Sequence, residues 1–551
     1  MKSIEKRKER LSIYMLKDAG LTDDKFIKAD QARPGIELNI VSGKATLYIK
    51  NTPLPKMPDW VAFLFANQDL PKDCFLGNRS EGAVLIFRND NTAFALSFGM
   101  GYHLINLDMV ERDFGLRVTL SSVHPDRLRS LDKASYESNP LNVRSQSPRD
   151  ADIFDLRIDV ENELVYALTG VSIDPMLGEH VTGRDALTIM PAATLDDLPQ
   201  ILEAAHRRYG HPPPEKFSWV EDVGRIKDVD EQAILDLELE ELLLQTPLPP
   251  NVWLGEPEIV DWEYQTGYSF DTRGKTPRFP TLQLDQLTDH MAKRGTLPTC
   301  ENLRRQWVHI NDANYVSVKR WSAYRCLYAE LTIGAQLYIL RNGDWHLVSA
   351  NFVNRVDTAL LKVDVDTTPM PVYAHDGEGP YNEACAHTLG DMALFDRANI
   401  FVGGPYDKIE FCDLVRDGGD LIHVKVYRSS ATLSHLFAQG CVSAETFVKH
   451  EDFRVALNPK LPASIKLLDP MPRPDARSFR VVYAIVTTKD LPLGLPFFAK
   501  VALKNAVTNL GALGFRVALA KIEMDAAYVK TGKLKPMGQA APVPHTRAAR
   551  R

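Results

Sequence analysis

The chain has 551 residues, of which 44% are hydrophobic and 25% are charged, and this balance is typical of globular proteins and excludes collagen, coiled coil and wholesale disorder. At roughly 150 residues per domain, the length predicts several domains. No window approaches about eighteen uninterrupted apolar residues, the N-terminus lacks a signal-peptide pattern, and the six cysteines show no CxxC spacing. A cytoplasmic protein with reduced thiols and no membrane contact is therefore expected.

The charge is unevenly distributed along the chain. The whole chain carries −7, from 65 basic and 72 acidic residues, but residues 460–551 hold 16 basic and 5 acidic residues, a net +11 that leaves −18 on the first 459. A basic segment of this kind favours an anionic partner, nucleic acid before membrane. A solubilising tail explains the same pattern equally well, because the last stretch is rich in Pro and Ala.

The first 370 residues give the local patterns of a mixed, β-rich region. Alternating strands with hairpin turns are indicated at residues 89–91 and at Asn342-Gly343. Helical spacing occurs over 198–209 and 230–245. TPLPPNVWLGEPE, starting at Thr246, is the clearest linker, and a second loop-rich break begins at Leu361.

These boundaries predict four segments. They are an N-terminal mixed α/β domain over 1–245, a linker and middle α+β region over 246–370, a C-terminal domain over 371–530 and a disordered basic tail over 531–551.

Downstream of Pro380 the order of the elements becomes informative. YNEACAHTLGDMALFDR predicts a helix, NIFVG and KIEFCDLV two strands, RDGGD a tight turn, and LIHVKVY the hairpin partner. ATLSHLFAQG predicts a helix capped by Ser429-Ser430, and a strand, a helix and a last strand follow. The order α-β-β-β-α-β, with an added α-β, resembles the core of restriction-endonuclease-like nucleases. The expected fold is thus an α+β or α/β multidomain protein that ends in such a core.

Three residues of the predicted hairpin carry groups that phosphodiester cleavage requires. Alternation along LIHVKVY places His423 and Lys425 on one face, and Asp413 ends the preceding strand within reach of both. Asp413 and His423 are the candidate metal ligands, with Mg²⁺ or Mn²⁺ as cofactor, and Lys425 would support the attacking water. The spacing resembles the D-(x)n-(D/E)xK pattern of those nucleases, except that His423 replaces an acid, and imidazole suits Mn²⁺ better than Mg²⁺. A hairpin with a polar outer face explains the same three residues without a site.

Weaker candidates lie on the neighbouring helices. Glu383 is on the first predicted helix, where such nucleases often carry an additional acid. The candidate nucleic-acid contacts are Lys500, Lys504, Ser430 and Gln439. For each of these residues, surface or capping polarity is the simpler interpretation.

A further group of motifs extends over nearly the whole chain. The most specific is IEFCDLV followed by LIHVKVYRSSATLSHLFAQGCVSAETF, and LSIYMLK, FALSFGMGYHLI, WSAYRCLYAE and LPFFAKVAL accompany it. These stretches resemble a sporadically distributed bacterial family of unknown function, whose members have about this length and often lie near anti-phage defence genes. The resemblance implies a restriction-endonuclease-like C-terminal domain with Asp413, His423 and Lys425 at the matching positions.

The leading hypothesis is a metal-dependent nuclease that cleaves foreign DNA in bacterial anti-phage defence, with Asp413, His423, Lys425 and Glu383 at its site. Its expected partners are nucleic acid, DNA before RNA, and beyond that a second copy of the chain or defence-system proteins. The first alternative is a catalytically degenerate nuclease fold that binds nucleic acid or a partner. The second is a phospholipase-D-like phosphodiesterase using His423, although Ser430 replaces the aspartate of its HxKxxxxD motif and no second HxK occurs.

Overall fold

The computed structural model describes residues 6–51, 81–89, 91–135, 142–153, 155–158, 163–257, 266–272, 277–396, 400–401, 408–428 and 430–525. Contacts divide the chain into two compact units that meet in the sequence at Val220 and Glu221. The predicted linker at Thr246 lies inside the second unit and contains a buried strand, Val252–Leu254. The predicted basic tail over 531–551 lies outside the described residues. In the described parts of the chain, no helix combines the length and the apolar character needed to cross a lipid bilayer.

The first unit contains a ten-stranded antiparallel sheet. In spatial order its strands are Ile36–Leu38, Lys44–Ile49, Gly82–Arg88, Ala93–Gly99, Leu11–Met15, Leu187–Ile189, His180–Gly183, Glu163–Ser172, Val123–Ser135 and Asn142–Ala151. A separate ribbon pairs Arg7–Lys8 with Ala192–Ala193. The described α-helices of this unit are Asp23–Phe26, Phe114–Ser122 and Leu198–Tyr209. The predicted hairpin around residues 89–91 and the predicted helix over 198–209 are confirmed.

The second unit begins with two antiparallel sheets. The five strands of the first are, in spatial order, Val223–Arg225, Asp344–Val348, Gln336–Arg341, Leu327–Ile333 and Val252–Leu254. The three strands of the second are Gly267–Ser269, Trp307–Asn311 and Ser317–Ser322. The α-helices of this region are Val229–Leu243, Leu284–Lys293, Cys300–Arg305, Ala323–Cys326 and Ala350–Leu360. The predicted Asn342-Gly343 turn is confirmed, because both residues adopt positive φ (51° and 79°), as a two-residue hairpin requires.

A six-stranded sheet follows. In spatial order its strands are Asp364–Val365, Arg516–Ile522, Arg480–Val486, Asp420–Val426, Leu414–Arg416 and Met392–Leu394. The first four strands are parallel and the last two are antiparallel to their neighbours. Its α-helices are Glu378–Thr388, Ser430–Lys449, Glu451–Leu457 and Phe497–Leu513. Mixed helices and antiparallel sheets across the chain confirm the predicted α+β class.

The start of this C-terminal region differs from the prediction. The first helix ends at Thr388, and Met392–Leu394, predicted as helix, is the edge strand of the sheet. Ile400–Phe401, predicted as a strand of the core, instead pairs with Lys408–Ile409 in a separate ribbon. Pairing of residues 392–394 with Leu414–Arg416 outweighs the helical spacing of their apolar side chains, since tertiary contacts override local preference.

The strand Asp420–Val426 is covered on both faces. Ile422 and Val424 belong to a core that also contains Tyr381 of the helix Glu378–Thr388. On the neighbouring strand Tyr483 packs against Phe437 of the helix Ser430–Lys449, with ring centroids 5.1 Å apart. Strands in the parallel part of a sheet are commonly buried in this way, so alternation does not mark an exposed face.

A buried carboxylate from the five-stranded sheet caps a helix of the C-terminal sheet. The helix Phe497–Leu513 follows Pro496, which offers no side-chain cap, and its first amides are buried. Glu330, 5% exposed, accepts hydrogen bonds from Phe497 N at 2.6 Å and from Phe498 N at 3.1 Å. Ser430 Oγ, at the start of another helix, donates to Glu330 Oε1 at 3.4 Å. One side chain thus satisfies helix donors that would otherwise be unpaired.

This carboxylate gives the stability an unusual dependence on pH. Burial raises the pKa of Glu330 from 4.5 to about 7, against the hydrogen bonds from the Phe498 and Phe497 amides and the charge of Lys500. The folded protein therefore holds this proton more tightly than the unfolded chain. We expect the Glu330 contribution to the free energy of unfolding to fall by about 2–3 kcal/mol as the pH rises from 4.5 to 7.

The measurement is denaturant unfolding of the parent protein and of Glu330→Gln between pH 4.5 and 8. The variant cannot ionise here, so the difference between the two free energies should change with pH across this window. Parallel profiles for the two proteins would contradict the prediction.

Candidate functional site

A lysine and a glutamate meet at the end of the strand Asp420–Val426. Lys425 Nζ lies 2.7 Å from Glu378 Oε2, and the side chains are 22% and 29% exposed. Val426 N donates to the other oxygen, Glu378 Oε1, at 3.1 Å. Glu378 begins the helix Glu378–Thr388, where an acidic side chain is stabilised by the helix dipole. Solvent therefore reaches a lysine whose position is fixed by one carboxylate.

A second carboxylate lies on the adjoining strand. Asp413 precedes the strand Leu414–Arg416, and its backbone N donates to Ile422 O at 3.0 Å. Its Oδ2 accepts a hydrogen bond from Val424 N at 2.7 Å. The hairpin therefore fixes both the main chain and the carboxylate of Asp413.

The electrostatic surroundings of Asp413 identify a third carboxylate. Burial raises the pKa of Asp413 from 3.8 to about 7, the negative charges of Asp396 and Glu378 raise it further, and Lys425 opposes them. We call Glu378, Asp396, Asp413 and Lys425 the carboxylate–lysine cluster. Its three acids face one ammonium, so the cluster has an excess of negative charge.

Hydrogen bonds from the main chain and from the helix Glu378–Thr388 both fix the position of Asp396. The amides of Phe395 and Asp396 each donate to Asp413 O at 2.8 Å. Asn382 Nδ2, one helical turn after Glu378, donates to Asp396 Oδ2 at 3.4 Å. Asn382 is fully buried, and among the described residues its Oδ1 accepts no hydrogen bond. Glu378 and Asn382, which are four positions apart on this helix, thus both contact residues of the cluster.

His423 lies outside the cluster. It is 4% exposed, its ring centroid is 6.1 Å from that of Tyr483, and its Nε2 has no hydrogen-bond partner in the described chain. Burial lowers the pKa of His423 to about 4, so its imidazole is neutral near pH 7. Because both faces of its strand are covered, the side chain of His423, two positions before Lys425, lies within the packed layer.

The cluster offers oxygen donors, the ligands that Mg²⁺ and Mn²⁺ prefer. The described residues contain no group of three or more His, Cys, Asp or Glu side chains arranged to hold a metal ion. In this arrangement one acid, Glu378, is paired with Lys425 instead. The donor chemistry therefore fits a hard divalent cation, although no complete set of ligands is assembled.

The remaining predicted residues are exposed, half-buried or engaged in internal contacts. Glu383 is exposed on the first helix, and Gln439 is exposed on the helix Ser430–Lys449. Ser430 is fully buried against Glu330, and Lys500 is 8% exposed with its Nζ 2.6 Å from Asp357 Oδ1. Lys504 is half-buried. Ser430 and Lys500 thus serve internal hydrogen bonds in this structure.

Sequence reasoning missed Glu378 and Asp396. Glu378 lies within Gly377-Glu378-Gly379-Pro380, a turn pattern that leads into a helix and places an acid at its first position. Asp396 closely follows the strand Met392–Leu394, whose assignment as helix concealed it. The sequence signals that could have identified these two residues are an acid at the start of a helix and an acid shortly after a strand.

Comparison with protein-family models matches residues 11–523 to DUF6119, described as a family of unknown function. Comparisons with curated proteins and with solved structures found no match for the chain. The match covers nearly all of the described residues, both units included.

Proposed function

Because the chain belongs to DUF6119, a family of unknown function, we propose an activity from the site alone: metal-dependent hydrolysis of phosphodiester bonds in nucleic acid. The observation that carries the proposal is the carboxylate–lysine cluster at the end of the strand Asp420–Val426. Nucleases of this kind need acids to hold a cation and a lysine beside the attacked phosphate.

The arrangement of strands supports the same proposal. The strands Met392–Leu394, Leu414–Arg416 and Asp420–Val426 form an antiparallel meander, and Arg480–Val486 is parallel to the last of them. A helix precedes the meander and another joins it to the parallel strand. This order is consistent with a restriction-endonuclease-like core, in which Asp413 would serve as the acid and Lys425 as the lysine.

We assign the metal to carboxylates and not to His423. Asp413 and Asp396 would hold Mg²⁺ or Mn²⁺, which supplies Lewis acidity at the phosphate and a more acidic water. Lys425 orients the attacking water and offsets the charge that develops on the phosphate. Glu378 sets the direction of the Lys425 side chain, because its own carboxylate is fixed by the Val426 amide.

The test is cleavage of supercoiled plasmid, linear duplex DNA and single-stranded RNA, each with Mg²⁺, with Mn²⁺ and with chelator. We expect products with Mg²⁺ or Mn²⁺ and none with chelator. The substrate that is cut then names the class of nucleic acid. A role in defence against foreign DNA is proposed from the sequence resemblance alone.

One observation favours a second candidate, a degenerate nuclease fold that binds nucleic acid. Lys425 is paired with Glu378, and the described residues hold no assembled metal site. Binding that survives chelator, with no products under either metal, would select this candidate. The burial of His423 gives the phospholipase-D-like alternative no support, since a nucleophile must reach the phosphorus.

A further inference from the structure

A basic aromatic strip lies on the three-stranded sheet of the second unit. The strip comprises Trp307, Arg320, Tyr315 and Arg278. Ser317–Ser322 is the edge strand of the sheet, and its residues 318–320 are exposed. The strip shares no residue with the carboxylate–lysine cluster.

One end of the strip is a stacked pair. The Arg320 guanidinium lies 4.3 Å from the centroid of the Trp307 ring, and Trp307 is 39% exposed. Arg320 is exposed and makes no ion pair with any described residue. A large aromatic ring is thus held at the surface beside a cation that is not neutralised.

The other end is the tip of the hairpin. Tyr315 is 61% exposed and has a φ of +62°, a backbone conformation that bulky residues rarely adopt. Asp312 Oδ1 holds this turn by accepting from Asn314 N at 2.8 Å and from Val316 N at 2.9 Å. The Arg278 guanidinium lies 5.9 Å from the Tyr315 ring centroid. The tyrosine is therefore presented to solvent by a preorganised turn.

A buried histidine, His309, lies beside the arginines of the strip. His309 lies opposite Arg320 in the strand pair and is 6% exposed. Burial lowers the pKa of His309, the positive charges of Arg320 and Arg278 lower it further, and only Asp271 opposes them. Both arginines of the strip therefore lie close enough to His309 to act on its charge.

We propose that the basic aromatic strip binds single-stranded nucleic acid and holds it for the nuclease. This inference rests on the proposed function and names its substrate class. Exposed aromatic rings stack on any base, while Arg320 and Arg278 attract the phosphates. Trp307 lies opposite Ser322 at one end of the edge strand, and Tyr315 precedes the other end at Ser317. The strand between these ends spans roughly 16 Å, which is longer than one nucleotide. An edge strand can also pair with a peptide, but two arginine–aromatic pairs at the surface favour nucleic acid.

The experiment measures binding by fluorescence anisotropy with the full chain in chelator, so that cleavage does not interfere. The probes are labelled 20-nucleotide single-stranded DNA and RNA of one mixed sequence, and the corresponding DNA duplex. The variants are Trp307→Ala and Arg320→Gln. Arg305→Ala is the matched control, because Arg305 is 76% exposed and already paired with Glu301 within one helix.

We expect single strands to bind more tightly than duplex. Trp307→Ala should weaken single-strand binding at least fivefold without changing its salt dependence, since stacking involves no counterion release. Arg320→Gln should reduce the slope of log Kd against log salt by about 0.7, the value for one phosphate contact on a single strand. Arg305→Ala should change neither quantity.

Unchanged single-strand binding in both variants, or equal loss in Arg305→Ala, would overturn the inference. If the parent protein also cleaves with Mg²⁺, the proposed function then stands without the strip. If single strands bind through Trp307 and Arg320 but no metal gives products, the strip stands and the nuclease proposal fails.

Discussion

Replacing Lys425 with alanine is expected to lower metal-dependent cleavage at least about 100-fold while the protein stays folded. The loss follows because a preorganised positive charge beside the reacting phosphate commonly contributes two to three orders of magnitude. The fold should survive, because the Lys425–Glu378 pair is 22% and 29% exposed and pairs open to solvent contribute about 0–1 kcal/mol. The readouts are initial cleavage rate and thermal unfolding.

Lys449→Ala is the matched control for this variant. Lys449 is also an ion-paired lysine of the C-terminal region, with Glu445 one helical turn away, but it lies at the end of the helix Ser430–Lys449. Its replacement should leave the cleavage rate unchanged. Undiminished cleavage by Lys425→Ala would remove Lys425 from the reaction and, with it, the proposed mechanism.

Asp366→Ala should cost about 3–5 kcal/mol of unfolding free energy, since it breaks a buried ion network. Arg416 Nη1 lies 2.8 Å from Asp366 Oδ2 and 3.0 Å from Asp420 Oδ2. Arg480 Nη2 joins the network from the next strand, 2.7 Å from Asp420 Oδ2. The side chains of Arg416 and Asp366 are only 7% and 4% exposed. The variant leaves Arg416 and Arg480 facing Asp420 alone, which is a net buried positive charge.

The same network predicts a loss of stability in acid. Burial alone would raise the pKa of Asp366, but hydrogen bonds from Arg416 and Thr368 outweigh it and hold the pKa below its ordinary value. The folded state therefore holds this proton less tightly than the unfolded chain. The stabilisation is present above about pH 4, the pKa of an unfolded aspartate, and disappears as the pH falls through the folded value.

Denaturant unfolding at pH 7 and at steps below pH 4 tests both statements. Asp364→Ala is the control. Asp364 is exposed in the short strand Asp364–Val365, two residues before Asp366. A deficit in Asp366→Ala that is below 1 kcal/mol at pH 7, or that persists undiminished at the lowest pH, would contradict the prediction.

Local patterns predicted the elements whose signals lie within a few residues. RDGGD forms the expected turn because Gly418 and Gly419 adopt φ values of 93° and 96°. The helix Phe497–Leu513 is followed by Gly514 in a left-handed conformation, which favours glycine. The prediction that Asp413 lies near Lys425 uses the same kind of local signal, the register of one hairpin.

Features that depend on distant pairing were not predictable. Glu378 meets Lys425 across 47 positions of sequence, and no local periodicity carries that information. The sequence does not show that His423 is only 4% exposed, because the helices that cover both faces of its strand are separated from it along the chain. The ten-stranded sheet of the first unit likewise pairs Leu11–Met15 with Leu187–Ile189, a contact that only the folded chain brings together.

The capping of the helix Phe497–Leu513 bears on whether part of this chain can be transferred to another gene by recombination. The acceptor for its first amides is Glu330, the partner of Lys500 is Asp357, and Asp366 neutralises Arg416. All three acids precede residue 371, where the sequence alone would begin a separate domain. A gene fragment encoding 371–530 would carry the carboxylate–lysine cluster but leave those donors and charges unmatched. We therefore expect that recombination can transfer the carboxylate–lysine cluster in a folded state only together with the middle region that contains these three acids.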